Sequence, residues 1–332
     1  MTRVPLSVLD LATVRAGHSS GDALRGTVEI AKTADEHGYA RFWVAEHHNM
    51  PAVASTSPAT LIGAVAAQTS HIRVGSGGVM LPNHMPFVVA EQFALLEALF
   101  PDRIDLGIGR APGTDQATAA ALRGVSPYLT VEQFPEHLRT VLALLSDENT
   151  THLKATPAPA SYPEVWMLGS STFGAQMAAA LGLPFCYAYH FAMTSDVDNA
   201  LRLYHDGFRP GVLAEPHAMV SASVIVAETT EEARFLAGPS RMMALSLRTG
   251  RLGPIVSPET AATAADDLTE LDLKVLDQLP GTQYAGTAEE VVADLDALVE
   301  RTGADELMIA GTVFEAATRQ DSLIRLAKAW RG

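Results

Sequence analysis

RFWVAEHHN, residues 41–49, opens as a strand and ends in a run of titratable side chains. Phe42, Trp43 and Val44 are aromatic or β-branched, as strand residues are, and polar residues begin only at the end of the run. Glu46, His47 and His48 then fall where a barrel strand would feed its C-terminal loop, the place from which α/β barrels build their active sites. With the strand period of two, Trp43, Ala45 and His47 share one face and Phe42, Val44, Glu46 and His48 the other. Only one of the two histidines therefore needs to face a pocket.

Working outward, the same strand-then-helix rhythm recurs along the chain. Strands are predicted at 5–10, 41–45, 72–81, 103–109, 165–168, 184–190, 219–226 and 306–310. Helices are predicted at 22–37, 58–69, from Pro86, and at 131–145, 171–181, 196–205, 231–247, 288–301 and 316–330. Asp22 supplies a cap, Gly38 and Gly182 supply stops, and Pro58 opens a helix at its first position. Two stretches break the rhythm. Residues 111–128 are small, polar and Ala-rich, and read as an insertion at the catalytic end. Residues 248–284 are weakly patterned, rich in Thr, Asp and Pro, and read as a candidate lid. Eight alternations suit right-handed βαβ units, so the predicted fold is α/β, a (β/α)8 TIM barrel with insertions at the C-terminal face of its strands. It is expected to form one domain over residues 1–332, with a doubly wound open sheet as the second choice.

Composition narrows the function classes. The chain has 332 residues, 48% hydrophobic and 18% charged, an ordinary soluble globular balance. A net charge of −15 argues against nucleic acid or an anionic membrane as partner. No run is long and apolar enough to span a bilayer, and the N-terminus does not read as a signal peptide. Cys186 is the single cysteine, so no internal disulfide forms and a cytoplasmic location is expected. It lies mid-strand in PFCYAYH and reads as core filler.

Three constellations carry chemistry. Gly75, Gly77 and Gly78 sit inside a strand, where each glycine costs about 0.5–1 kcal/mol against alanine. They mark either a β-bulge or a surface on which a planar ligand lies against the backbone. Gly169, Ser170 and Ser171 end a strand and enter a helix, which makes either a phosphate seat or plain capping. Arg110 in GIGRAPG, and more weakly Arg123, would neutralise phosphate charge or else pair at the surface. Glu46, His47 and His48 resemble metal ligands only superficially: no His-x-His exists, His84 falls in a loop, and His205 falls in a helix, although His190 ends a strand. A histidine acting as base or hydrogen-bond donor fits better, with a structural histidine as the alternative.

The strings FWVAEHHN, GSGGVMLPNHMP, RIDLGIGRAPG, LGSS before a helix and LGLPF resemble, in their joint order, the bacterial luciferase-like family of flavin monooxygenases. The likeness runs from Leu6 to about Phe191 and resumes over residues 285–309. It implies that the family's catalytic histidine is His47, oriented by Glu46. It also places a non-proline cis peptide beneath the flavin at Gly77-Gly78, and phosphate contacts at Arg110, Gly169, Ser170, Ser171 and Gly174. It further implies reduced FMN delivered by a separate NAD(P)H:flavin reductase, since no GxGxxG fingerprint follows any strand. O2 would then hydroxylate or epoxidise a small organic substrate, in a homodimer. Gly109 stands where luciferase has a reactive cysteine, and Tyr187 and Tyr189 stand where it has a tryptophan. Both departures argue against light emission and long-chain aldehydes. Abundant Ala and Arg suggest a GC-rich genome of the kind in which relatives tailor polyketides and other secondary metabolites. An F420-dependent oxidoreductase, a metal hydrolase and a non-catalytic flavin-binding relative remain as competing readings.

Overall fold

Alternation along the strands builds a closed barrel in this computed structural model, which describes residues 3–124, 129–149, 151–191, 196–264, 268–279 and 282–332. Strands β1 (Leu6–Asp10), β2 (Arg41–Val44), β3 (Arg73–Met80), β4 (Ile104–Gly109), β5 (Glu164–Gly169), β6 (Phe185–Tyr187) and β7 (Ala218–Val226) run parallel in order. Pairing of β6 with β7, β7 with β9 (Glu306–Ala310), and β9 with β1 closes the ring. The short β8 (Tyr284–Gly286) pairs with the far end of β7, outside the ring of eight. The (β/α)8 expectation is met.

Helices α1 (Ser20–Glu36), α2 (Pro58–Ala66), α3 (Pro86–Leu99), α5 (Phe134–Leu144), α6 (Thr172–Leu181), α7 (Val197–Gly207), α8 (Thr230–Thr249), α11 (Ala288–Thr302) and α12 (Ala316–Arg331) surround the barrel. Their sequence logic is local. Ser19 and Asp22 form a reciprocal capping box, satisfying amides that a helix start leaves unpaired. Gly182 and Gly303 end α6 and α11 at φ +62 and +64, a conformation that costs glycine least.

Both irregular stretches contain elements that weak patterning hid. The short α4 (Gln116–Arg123) lies in the expected insertion, whose positions 125–128 fall outside the described residues. Helices α9 (Pro258–Thr263) and α10 (Glu270–Gln278) occupy the expected lid, which ends where β8 begins and of which 265–267 and 280–281 are not described. Strand β6 is shorter than predicted and leaves Tyr189 and His190 in the turn that follows. No described helix is long and apolar enough to cross a membrane.

The barrel interior is layered. Ser7, Arg41, Arg73, Asp105, Glu164, His217 and Glu306 stand at or near the strand starts and form a charged floor. Arg41 reaches Asp105 at 2.9 Å, Glu306 at 3.2 Å and Glu164 at 3.3 Å, while Arg73 holds Asp105 at 2.6 Å. Burial alone would depress the Arg41 guanidinium, but Asp105, Glu306 and Glu164 outweigh it and keep it charged. Above lies an apolar layer of Leu9, Trp43, Trp166, Cys186, Met219 and Met308, with Trp43 and Trp166 packed edge to face at 5.3 Å. Cys186 is core filler, and burial raises its thiol further. Phe42 and Val44 pack outward in the helix-facing core, while Trp43 and Ala45 pack inward. Toward the C-terminal mouth the inward positions become small: Ala45, Gly77, Gly107, Gly109, Ser221 and Ala310. Trp and Met thus fill the barrel below, and Gly, Ala and Ser take the positions above, toward the end from which α/β barrels build their sites.

Candidate active site

His47 continues the inward face of β2 beyond the strand end. Its Nδ1 lies 3.3 Å from the carbonyl oxygen of Gly113, and its backbone N–H donates to Ser55 at 3.0 Å. A carbonyl only accepts, so Nδ1 carries the proton and a neutral His47 keeps Nε2 bare. Burial lowers its pKa below the ordinary histidine value, a shift that the Gly113 carbonyl and the nearby Glu46 charge only partly oppose.

Glu46, expected to orient His47, acts on that ring through its charge and places its hydrogen bonds elsewhere. Its side chain is fully buried and turned to the opposite face, where it accepts from His84 Nε2 at 2.8 Å, His48 Nε2 at 2.9 Å and the Met80 N–H at 3.1 Å. No hydrogen bond joins it to the His47 ring. The period-two alternation that sends His47 inward sends Glu46 and His48 outward, beneath the turn after β3, so Glu46 ties the end of β2 to the end of β3. Among the described residues no cluster of His, Cys, Asp or Glu has the makings of a metal site.

A stability prediction follows from that buried carboxylate. Burial pushes Glu46 up, yet bonds and charge from His84, with the bonds from His48 and Met80, hold it below the ordinary range. A depressed folded pKa stabilises the ionised fold fully above the unfolded value of about 4.3, and the gain is lost as pH falls through the folded value. Glu46→Gln should therefore cost about 1–3 kcal/mol at pH 7 in urea unfolding. The gap to wild type should close toward pH 3; a gap independent of pH would contradict the assignment.

Gly77-Gly78 is a cis peptide, at the position where the family resemblance expects one. The β3–β4 register shifts between Gly77 and Val79, so the irregular-strand reading holds. A Cβ on Gly78 would meet the Leu168 side chain and sit 2.6 Å from the Gly107 carbonyl, and one on Gly77 would sit 2.7 Å from Leu9 Cδ1. Close packing against the Gly107 carbonyl is thus enough to require glycine at 78, whereas at 77 the Leu9 side chain would have to shift.

Beyond β4, β5 delivers Gly169, Ser170 and Ser171 to the start of α6. Ser171 is the N-cap residue but makes no side-chain cap, so its hydroxyl leaves the first α6 amides uncapped. Arg110 is exposed after β4 and lays its guanidinium over the Phe173 ring at 4.1 Å, in the first turn of that helix. It forms no ion pair with a described acid. Gly174 packs behind, where a Cβ would lie 3.4 Å from Phe185. Arg123, the weaker candidate, donates to Asn83 Oδ1 at 3.1 Å.

The insertion closes over the histidine loop. Gly113, at φ +65, accepts from the His48 N–H at 3.2 Å, Thr114 Oγ1 donates to the His48 carbonyl at 2.8 Å, and Asn49 donates to Thr118 at 3.0 Å. Two partnerships were not visible in the sequence, His84 with Glu46 and His190 with Ser221. Strand parity from Cys186 through 188 to His190 was the one available signal for the second.

Residues 4–306 match the family model described as luciferase-like monooxygenase. A luciferase-like monooxygenase of Escherichia coli K12 is 37% identical over 96% of this chain and 95% of its own. An N-acetyl-S-alkylcysteine monooxygenase of Bacillus subtilis is 36% identical over 98% of both chains. The crystal structure of apo-MsnO8 superposes with TM-score 0.91 at 35% identity, covering 98% of both chains. Two more distant structures share the fold at TM-scores 0.70 and 0.69: a Baeyer–Villiger monooxygenase component in complex with FMN, and an F420-dependent secondary alcohol dehydrogenase.

Proposed function

The chain belongs to the luciferase-like monooxygenase family, and from that premise we propose that it is the oxygenating component of a two-component system. It takes reduced FMN from a separate NAD(P)H:flavin reductase and uses O2 to place one oxygen atom on a small organic substrate. The observation that carries this reading is His47, an inward-facing imidazole at a barrel mouth lined by small residues. When bound, the flavin supplies the redox chemistry, and the protein binds, orients, dries the site and moves protons. His47, neutral with Nε2 bare, is the residue that accepts or returns a proton there. Residues 111–124 and the elements within 248–284 serve to exclude water.

The uncapped start of α6, with Ser170, Ser171 and Arg110, supports a phosphate-bearing flavin: amides, a helix dipole and a guanidinium without an acidic partner among the described residues suit a dianion. Arg110→Ala should weaken FMN binding roughly ten-fold while leaving riboflavin, which lacks the phosphate, within about two-fold. Equal losses for both ligands, read by quenching of flavin fluorescence, would contradict the seat.

The relative named for N-acetyl-S-alkylcysteines makes thioethers of that kind the first substrates to screen, with polyketide-like secondary metabolites second. The exposed stripe of Met85, Val88, Leu95 and Leu99 along α3 supports a homodimer, since solvent-facing apolar stripes of this sort serve as contacts.

A further inference from the structure

The mouth holds a second histidine whose chemistry its neighbours set. Met219 faces the barrel interior and Val220 and Ala222 face the helices, so Ser221 points inward, where it is 2% exposed. Its Oγ lies 2.6 Å from His190 Nδ1, 3.4 Å from the His190 backbone N–H, and 3.1 Å from the Tyr187 carbonyl. A hydroxyl has one proton. The carbonyl can only accept, so that proton goes to Tyr187, and Oγ must accept from His190. Nδ1 therefore carries the imidazole proton and Nε2 is bare. Burial, with the charge of His47 adding to it, pushes the His190 pKa down to about 4, so the ring stays neutral at working pH. His47 and His190 continue the inward faces of β2 and β6, which lie across the barrel from each other. They differ in anchoring: a backbone carbonyl holds His47, while a serine hydroxyl fixes His190.

We propose that His190 is a second functional imidazole of this site, a hydrogen-bond acceptor that receives an N–H of the bound flavin, and that Ser221 is its positioning residue. The proposal rests on the FMN reading above. The flavin is favoured over the substrate as donor because β6 adjoins the strand that ends in the phosphate seat, and Tyr187 of β6 donates from its hydroxyl to the Ser170 carbonyl at 3.1 Å. The mouth then holds two neutral imidazoles, each with its Nδ1 proton engaged and its Nε2 left as an acceptor.

Long-range proton–nitrogen NMR on the 15N-labelled chain tests the tautomer, with the His190 signals identified by their loss in His190→Gln. The expected result is a protonated Nδ1 and bare Nε2, shifting toward the other tautomer in Ser221→Ala. Anaerobic titration with photoreduced FMN tests the ligand. His190→Phe, which has no acceptor, should bind roughly ten-fold more weakly than wild type, whereas His190→Gln, which keeps one, should lose under about three-fold. Should His190→Phe fail to fold, Ser221→Ala replaces it, with about three-fold weaker binding expected. A wild-type Nε2–H tautomer, or affinity unchanged without the acceptor, overturns the inference alone. A wild-type chain that binds no reduced FMN overturns the proposed function, and with it the ligand named here.

Discussion

Replacing His47 with alanine should cut product formation by about 10²–10⁴-fold, the range typical of losing a positioned acid or base. Binding of reduced FMN should stay within about three-fold, because the phosphate seat follows β5, and three strand pairings separate that strand from β2. Reduction of FMN by the partner enzyme should be untouched. Flavin oxidation would continue, with the electrons appearing as hydrogen peroxide rather than product. The protonation state sharpens the expectation. His47 is neutral near pH 7 because burial depresses it, so a reaction that uses its bare Nε2 should have an acid limb below the ordinary histidine value of about 6.5 and a plateau above. Rates across pH 5–8, compared for wild type and His47→Ala on the first substrate found by screening, check both parts. Product yield equal to wild type would remove His47 from the chemistry.

The second large effect is on stability. Arg41 is the hub of the charged floor, with Asp105 fully buried and Glu306 2% exposed beside it. Removing one partner of a buried ion pair typically costs about 3–5 kcal/mol, because the charge left behind is uncompensated. Arg41→Leu leaves Asp105 with Arg73 and the Trp43 indole N–H, and leaves Glu306 with Ser7 and His217. Losses near 3 kcal/mol in urea unfolding are expected. Adding Glu306→Leu to that variant should recover part of the loss, since both charges are then gone. A single-variant cost under about 1 kcal/mol would show the floor to be dispensable.

These two residues show how differently sequence exposes structure. His47 was legible because it extends a strand whose alternation is visible, and the barrel was legible for the same reason, repeated eight times. Arg41 stands on the same inward face, yet its partners lie 64 and 265 positions away, and no local pattern marks a charge network assembled by ring closure. Strand alternation, which places His47 inward, also places Glu46 on the other face, but nothing local showed that His84 would meet it there. The glycines of β3 were read as either a bulge or a surface for a planar ligand; the strand does shift register there, and a Cβ would crowd Gly107 and Leu168, contacts no local pattern reveals. Helices α9 and α10 escaped notice because both are short and neither has a long apolar stripe. The joint order of weak motifs, rather than any single one, carried the family, and geometry then separated the residues that face the mouth from those that brace it.

If this barrel holds reduced FMN while O2 reacts with it, rapid mixing of the anaerobic protein–reduced FMN complex with oxygenated buffer will show it in the flavin absorbance. Oxidised FMN should return in two resolved phases, the second slowed relative to free flavin, with hydrogen peroxide appearing only in that phase. A single phase at the rate of free reduced FMN, with hydrogen peroxide formed at once, would contradict it and turn attention to F420.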